Sequence, residues 1–161
     1  MFDAYLKIDS IPGECTDKGH EKWIQIQSFS HGLTQPHSEV GGGGSRGGTS
    51  RCQHQDFSFS KFLDAASTQL NLHCCNGVNL KKVTLEICRQ TDTKEVYLKY
   101  EFETCLVANI SIGGGGGGLP MENVSLTYAK ITWTYTGIDP TTNQAAQPTV
   151  SYWDLLTNVG G

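Results

Sequence analysis

The chain has 161 residues, of which 37% are hydrophobic and 17% are charged, and its formal net charge is -4 at pH 7. This length predicts one domain spanning residues 1–161 with its own core, and the chain lacks the clustered Lys and Arg that a nucleic-acid surface needs. No run approaches the ~18 consecutive apolar residues of a membrane helix, so we expect no membrane insertion.

The first residues are typical of a half-buried strand. Residues 2–9 alternate apolar and polar side chains, which is the pattern of a strand and not of a signal sequence. A glycine- and proline-containing loop follows, and residues 23–32 repeat the alternation. The period of this second strand places Ser28 and Ser30 on the same face as Ile24.

Two tracts contain 12 of the 19 glycines, with six in residues 41–48 and six in residues 113–118. Glycine carries no side chain for a core and loses the most backbone entropy when it is ordered. Both tracts are therefore predicted to be surface loops.

Residues 51–59 predict another strand, and this strand leads into the one helix that the pattern supports. Ser60 is a suitable N-cap, and apolar residues recur at helical spacing as far as Leu70. Asn76 and Gly77 then provide a left-handed stop signal.

The pattern returns to strands after the helix. Residues 83–88 and 96–102 alternate around a polar turn at 91–93, which predicts a hairpin. The second of these strands continues through residue 112 into the second glycine tract.

The next strand contains a shift of phase. Val124 and Leu126 share one face, whereas Ile131 and Trp133 are one step out of phase with them. We expect a bulge near Ala129 that returns all four side chains to the core.

The elements total six or seven strands and one helix, without the alternation of strands and helices that marks a parallel sheet. This order predicts a mainly β fold, an antiparallel β-barrel of two packed sheets with one flanking α-helix.

Several segments resemble the haemolysin-coregulated protein (Hcp) family, the ring-forming tube subunit of type VI secretion. The resemblance runs almost end to end and in order. The segments that carry it are the opening pair of strands, Asp56–Lys61, Cys75–Gly77, Leu119–Tyr135 and Trp153–Asn158. One departure is His31, since an aromatic residue often follows the serine at that point in the family.

The resemblance implies a structural protein and no enzyme activity or cofactor. It implies hexameric rings that stack into a tube inside a contractile sheath, with the tube expelled together with effector cargo. The implied partners are other copies of the chain and the sheath, spike and effector proteins. The implied location is the bacterial cytoplasm during assembly and the exterior afterwards, reached without a signal peptide.

The resemblance also implies two contact regions. The long first glycine loop is expected to stack one ring on the next, and its residues are Gly41, Gly42, Gly43, Gly44, Ser45, Arg46, Gly47 and Gly48. Ser28 and Ser30 are candidates to line the lumen, where small polar side chains would leave room for cargo. A solvent-exposed strand face without a function explains these two serines equally well.

Two clusters contain residue types that bind zinc, but neither has the spacing of a zinc site. Cys52 and His54 form one, and His73, Cys74 and Cys75 form the other. The spacing therefore predicts no metal. We expect six reduced thiols, because a disulfide framework is typical of small secreted domains with a signal peptide. No known catalytic signature surrounds any cysteine, so we expect no thiol nucleophile. Two alternatives stay open, a free-standing β-barrel that binds a ligand and a metal- or thiol-dependent enzyme.

Overall fold

The computed structural model describes residues 2–36 and 51–161. The strands are β1 (Phe2–Ile8), β2 (Ile24–Ile26), β3 (Ser28–Ser30), β4 (Leu33–Thr34), β5 (Gln53–His54), β6 (Phe57–Phe62), β7 (Leu80–Arg89), β8 (Val96–Gly113), β9 (Met121–Thr127), β10 (Lys130–Tyr135), β11 (Thr149–Asp154) and β12 (Val159–Gly160). The helix is α1 (Ser67–Asn76). It is the only helix in the described residues, and at ten residues it is too short to cross a membrane.

The 18-residue strand β8 belongs to two sheets. In the large sheet the strand order is β12-β11-β10-β8-β7-β1-β2, and in the small sheet it is β8-β9-β6-β3. The far ends of the two sheets are joined by the chain, because only Gln27 separates β2 from β3. All pairings are antiparallel, so the predicted mainly β fold of two packed sheets with one flanking helix is confirmed. A separate two-stranded ribbon is formed by β4 and β5.

The inner faces of the two sheets pack into one core. The rings of Phe57 in the small sheet and Phe102 in the large sheet have centroids 4.6 Å apart, and each such buried side chain stabilises the fold by about 1.5–3 kcal/mol. The other fully buried side chains of the two sheets include Ala4, Leu6, Ile8, Ile24, Ile26, Phe59, Val83, Leu85, Ile87, Val124, Leu126 and Ile131.

The alternation changes phase where the chain passes from β2 to β3. Ile24 and Ile26 are buried, but the next inward side chain is Phe29, and Ser28 and Ser30 are exposed. The expectation that the two serines share a face with Ile24 is therefore wrong. At Gln27 the chain leaves the large sheet for the small one, and this change of sheet shifts the period by one residue.

A second change of sheet lies between Thr127 and Lys130. The expected interruption of the ladder is confirmed, but its cause is the passage from β9 in the small sheet to β10 in the large sheet, and not a bulge. Of the four side chains expected in the core, Trp133 is only half-buried. The other three are fully buried, namely Val124, Leu126 and Ile131. The expected six or seven strands are too few, since the described residues contain twelve. Residues 23–32, residues 51–59 and the segment after the second glycine tract are each divided in two, and the short strands β4 and β12 were not expected.

The helix begins later than the sequence predicts. Ser60 does not cap it but lies within β6, because residues 57–62 pair along their whole length with β9. The helix starts at Ser67 and ends as expected at Gly77, whose φ of 65° and ψ of 23° are left-handed. The Gly77 amide donates to the carbonyl oxygen of His73 at 3.1 Å.

A buried ionic network fastens this helix to the small sheet. Lys61 has no exposed surface, and its Nζ lies 2.7 Å from Glu122 Oε2 and 2.7 Å from Asp64 Oδ1. The same ammonium donates to Ser67 Oγ at 3.0 Å, and that hydroxyl donates to Glu122 at 2.7 Å. Because Ser67 is the first residue of α1, the network joins β6, β9 and the helix N-terminus.

We expect Lys61→Met to lower the free energy of unfolding by about 3–5 kcal/mol, because it leaves the buried Glu122 carboxylate without a cation. Lys82→Met is the matched control, since Lys82 pairs with Glu101 at the surface and such pairs contribute at most about 1 kcal/mol. Guanidinium denaturation measures both. Equal losses in the two variants would contradict this account, and Lys61→Met/Glu122→Met should be more stable than Lys61→Met alone.

Candidate functional site

The middle of the outer face of the small sheet is built from small uncharged side chains, and the row beside it pairs the exposed Phe62 with Met121. Directly opposed residues of an antiparallel ladder share a face, and the ladders align two rows across four strands. One row is Ser30, Ser58, Ser125 and Asn109, and the other is Ser28, Ser60, Asn123 and Ser111. These eight residues are called the serine face below.

Hydroxyl groups on the serine face bond to one another. The Oγ atoms of Ser28 and Ser60 lie 2.6 Å apart, and those of Ser58 and Ser125 lie 2.9 Å apart. A serine becomes a nucleophile only beside a general base, and here the partner of each hydroxyl is another serine. The arrangement therefore offers hydrogen-bond donors and acceptors in a shallow depression and no activated nucleophile.

The outer face of the large sheet is charged, in contrast. Lys82 Nζ lies 2.9 Å from Glu101 Oε1, and Lys130 Nζ lies 3.4 Å from Glu103 Oε2. Since the two sheets pack through their inner faces, this charged face and the serine face point in opposite directions.

The large sheet extends beyond the small one and leaves part of its inner face uncovered. Tyr135 at this edge is 51% exposed. The side chains that line this area are called the aromatic shelf, and they are Leu98, Tyr100, Trp133, Tyr135 and Trp153. The ribbon of β4 and β5 lies beside one end of the shelf, where Leu33 and His54 line one shallow depression together with Trp133 and Trp153.

Two imidazoles share one phenol hydroxyl beneath this ribbon. Tyr128 Oη lies 2.5 Å from His31 Nε2 and 2.8 Å from His54 Nδ1. Burial lowers the pKa of both imidazoles, and the charge of His54 lowers the pKa of His31 further. Burial raises the pKa of Tyr128, and the negative charges that Cys52 and Asp56 can carry raise it further. The Tyr128 hydroxyl therefore keeps its proton.

The cysteines are free thiols spread over several elements. Cys52 and Cys74 are half-buried and Cys75 is exposed. Burial raises the pKa of Cys88 to about 11 and that of Cys105 to about 12, which opposes thiolate formation. Within residues 2–36 and 51–161 no three His, Cys, Asp or Glu residues are grouped closely enough to hold a metal.

The structure unites Ser28 and Ser30 with six residues that the sequence interpretation did not place on this face. In residues 57–60, Phe alternates with Ser, which indicates a strand with one apolar face and one face of serines. This signal was missed because Ser60 was taken as the N-cap of the helix. The other region, Gly41, Gly42, Gly43, Gly44, Ser45, Arg46, Gly47 and Gly48, lies outside the described residues.

Comparisons with known proteins agree over almost the whole chain. A family model described as type VI secretion system effector, Hcp, matches residues 5–135. Protein hcp1 of Pseudomonas aeruginosa is 31% identical over 159 residues, which cover 98% of this chain and 97% of that protein. The major exported protein of the same species is 28% identical over 136 residues, covering 79% of this chain and 76% of that one.

A solved structure of a type six secretion system protein has the same fold. It superposes with a TM-score of 0.91 at 29% identity and covers 100% of both chains. The matched region includes β1, both changes of sheet and every strand that carries the serine face. The chain therefore belongs to the Hcp family of the type VI secretion system.

Proposed function

We propose that this chain is a structural subunit of the type VI secretion inner tube. Six copies form a ring, the rings stack, and the tube is expelled with effector cargo in its lumen. The observation that supports this role beyond family membership is the serine face, an extended uncharged surface whose two rows cross four strands. The partners are other copies of the chain and the sheath, spike and effector proteins.

The serine face suits the wall of a channel. Its side chains are small, so they leave the channel open, and six-fold symmetry repeats the same surface around the axis. Hydroxyl and amide groups can bond to many polar surfaces, whereas fixed charges would repel part of the cargo. With this face inward, the ion-paired face that carries Lys82 and Lys130 points outward to the sheath.

The aromatic shelf suits the contact between neighbouring subunits. It is an uncovered continuation of the core face of the large sheet, and burial of Tyr135 and Trp133 by a second copy would remove apolar surface from water. A closed ring also covers strand edges that a single chain leaves open.

The two alternative functions have less support. A ligand-binding barrel needs an enclosed cavity, but the interior is filled by aromatic rings, with Phe57 4.6 Å from Phe102 and 5.8 Å from Phe59 between centroids. A thiol enzyme needs a nucleophile with a low pKa, and burial raises the pKa of Cys88 and Cys105. We therefore propose a role without catalysis.

The proposed location is the bacterial cytoplasm during assembly and the exterior after expulsion. The relative in Pseudomonas aeruginosa that is called the major exported protein supports the second part. The whole span of residues 1–161 acts as one tube-forming unit in this proposal.

Assembly is tested by native mass spectrometry of the purified protein. We expect a dominant hexamer, and we expect Tyr135→Arg to shift it to folded monomers because a charge on the shelf resists burial in the contact. Thr132→Arg is the matched control, because residue 132 lies on the opposite face of the same strand. A folded wild-type protein that stays monomeric at high concentration would contradict the assembly, and hexamers of Tyr135→Arg would exclude the shelf from the contact.

The lumen assignment is tested with Ser30→Gln, which places six bulky side chains on the proposed channel wall. The hexamer should persist, because Ser30 is exposed and contributes nothing to the core. Cargo binding should fall about tenfold, which is about 1.4 kcal/mol, because the longer side chains occupy space that the serines leave open. Thr132→Gln, on the outward face, is the control and should bind cargo normally. Unchanged affinity of the Ser30→Gln hexamer would remove the lumen assignment.

Ring stacking is tested by replacing residues 41–48 with a tight turn. We propose that this glycine tract contacts the next ring, because glycine permits close approach of backbones. The shortened protein should still form hexamers but no tubes under the electron microscope, and it should not be secreted. Tubes of normal length would refute this role for the tract.

A further inference from the structure

We propose that His31, His54 and Tyr128 form an acid-sensitive clasp that holds the ribbon of β4 and β5 on the aromatic shelf near neutral pH and releases it in mild acid. The inference concerns the chain itself and does not rest on the proposed assembly.

The Tyr128 hydroxyl bonds to one residue in or beside each strand of the ribbon, His31 next to β4 and His54 in β5. His31 lies between β3 and β4, His54 is the last residue of β5, and Tyr128 lies where the chain passes from β9 to β10. The ribbon pairs with itself at Leu33 and His54 and is not part of either sheet. The shared hydroxyl therefore ties both strands of the ribbon to the body of the protein.

The number of protons on His31, His54 and Tyr128 decides whether all their polar hydrogens find acceptors. A phenol has one proton to donate, so both bonds form well when one imidazole nitrogen accepts that proton and the other imidazole donates its N–H to Tyr128 Oη. Protonation of both His31 and His54 leaves two donors, no acceptor for the phenol proton, and two cations around one oxygen. The doubly protonated trio therefore leaves the phenol proton without an acceptor in a partly buried place and adds repulsion between two cations.

The surroundings offer little compensation for a second positive charge. On the β8 side His31 meets the rings of Tyr100 and Phe102, with centroids 6.1 and 6.2 Å away. Burial raises the pKa of Tyr100, so this neighbour stays neutral.

On the other sides, His54 and Tyr128 lie near the aromatic shelf and near residues 52–56. Trp133, Trp153, Leu33 and the thiol of Cys52 line the space beside His54. The carboxylate whose charge reaches Tyr128 is that of Asp56, an exposed residue. The ion-paired carboxylates of β8 project from the opposite face of the large sheet.

The direction of the pH effect follows from these contacts. The docked imidazoles have a pKa below the ordinary value of 6.5, which they regain when the ribbon is released. The docked state therefore binds fewer protons than the released state, so docking is fully favoured above 6.5 and weakens as the pH falls through the lowered values. The depression that Leu33 and His54 line together with Trp133 and Trp153 then opens as well.

Hydrogen exchange read by mass spectrometry tests the clasp on the full chain. We compare protection factors, each of which is the intrinsic exchange rate of an amide divided by its observed rate, at about pH 7.5 and about pH 5. When the pH is lowered, the protection factors of residues 31–36 and 51–56 should fall about threefold or more. Protection of β7 should not change. Unchanged protection of the ribbon residues across this range would overturn the proposal.

Variants assign the effect to the trio. His31→Phe/His54→Gln keeps a ring beside Phe102 and an amide beside Tyr128 but cannot titrate, so its ribbon should be equally protected at both pH values. His73→Gln is the control, since His73 lies on α1 and contacts Gln69 O, and it should keep the wild-type pH dependence. A pH dependence that survives in the double variant would overturn the proposal.

Tyr128→Phe provides an independent test if the double variant fails to fold. It keeps the ring and deletes only the shared hydroxyl, so ribbon protection at pH 7.5 should fall towards the wild-type value at pH 5. Wild-type protection in this variant at pH 7.5 would show that the hydroxyl does not hold the ribbon.

Discussion

The fold depends on one long strand that takes part in two sheets. The first part of β8 pairs with β7 and β10, and the part after Cys105 pairs with β9. Side chains alternate within each part of β8, and the alternation shifts at Thr104, whose φ is 54°, and between Val107 and Asn109. Every ladder that extends from β8 therefore has one face directed into the shared core and one directed away from it. The serine face and the charged face thus lie on opposite sides of the molecule as a consequence of the same pairing.

The sequence predicted the type of most elements but not the points where the chain changes sheet. Alternation in residues 2–9 and 83–88 was sufficient for β1 and β7, because both stay in one sheet throughout. At Gln27 and between Thr127 and Lys130 the period breaks, and a single sequence does not distinguish a bulge from a passage between sheets. The helix start was missed because Phe62 fits a helical spacing and is out of phase with Phe57 and Phe59, so the alternation gives no sign that β6 continues through residue 62.

The candidate site was predictable only in part. Ser28 and Ser30 were identified, but their neighbours on the face come from β6, β8 and β9, and only strand register brings these together. His31, His54 and Tyr128 are separated by up to 97 positions in the chain, so no local pattern could connect them. Lys61 and Glu122 are likewise charged residues in strands, and the sequence does not show that they neutralise each other in the interior.

The central claim is that the serine face lines the channel of a ring, and electron cryomicroscopy of the assembled protein tests it most directly. We expect six copies in each ring, with the serine face towards the axis and the ion pairs of Lys82 and Lys130 towards the exterior. Rings whose channel is lined by the charged face of the large sheet, with the serine face outside, would contradict it.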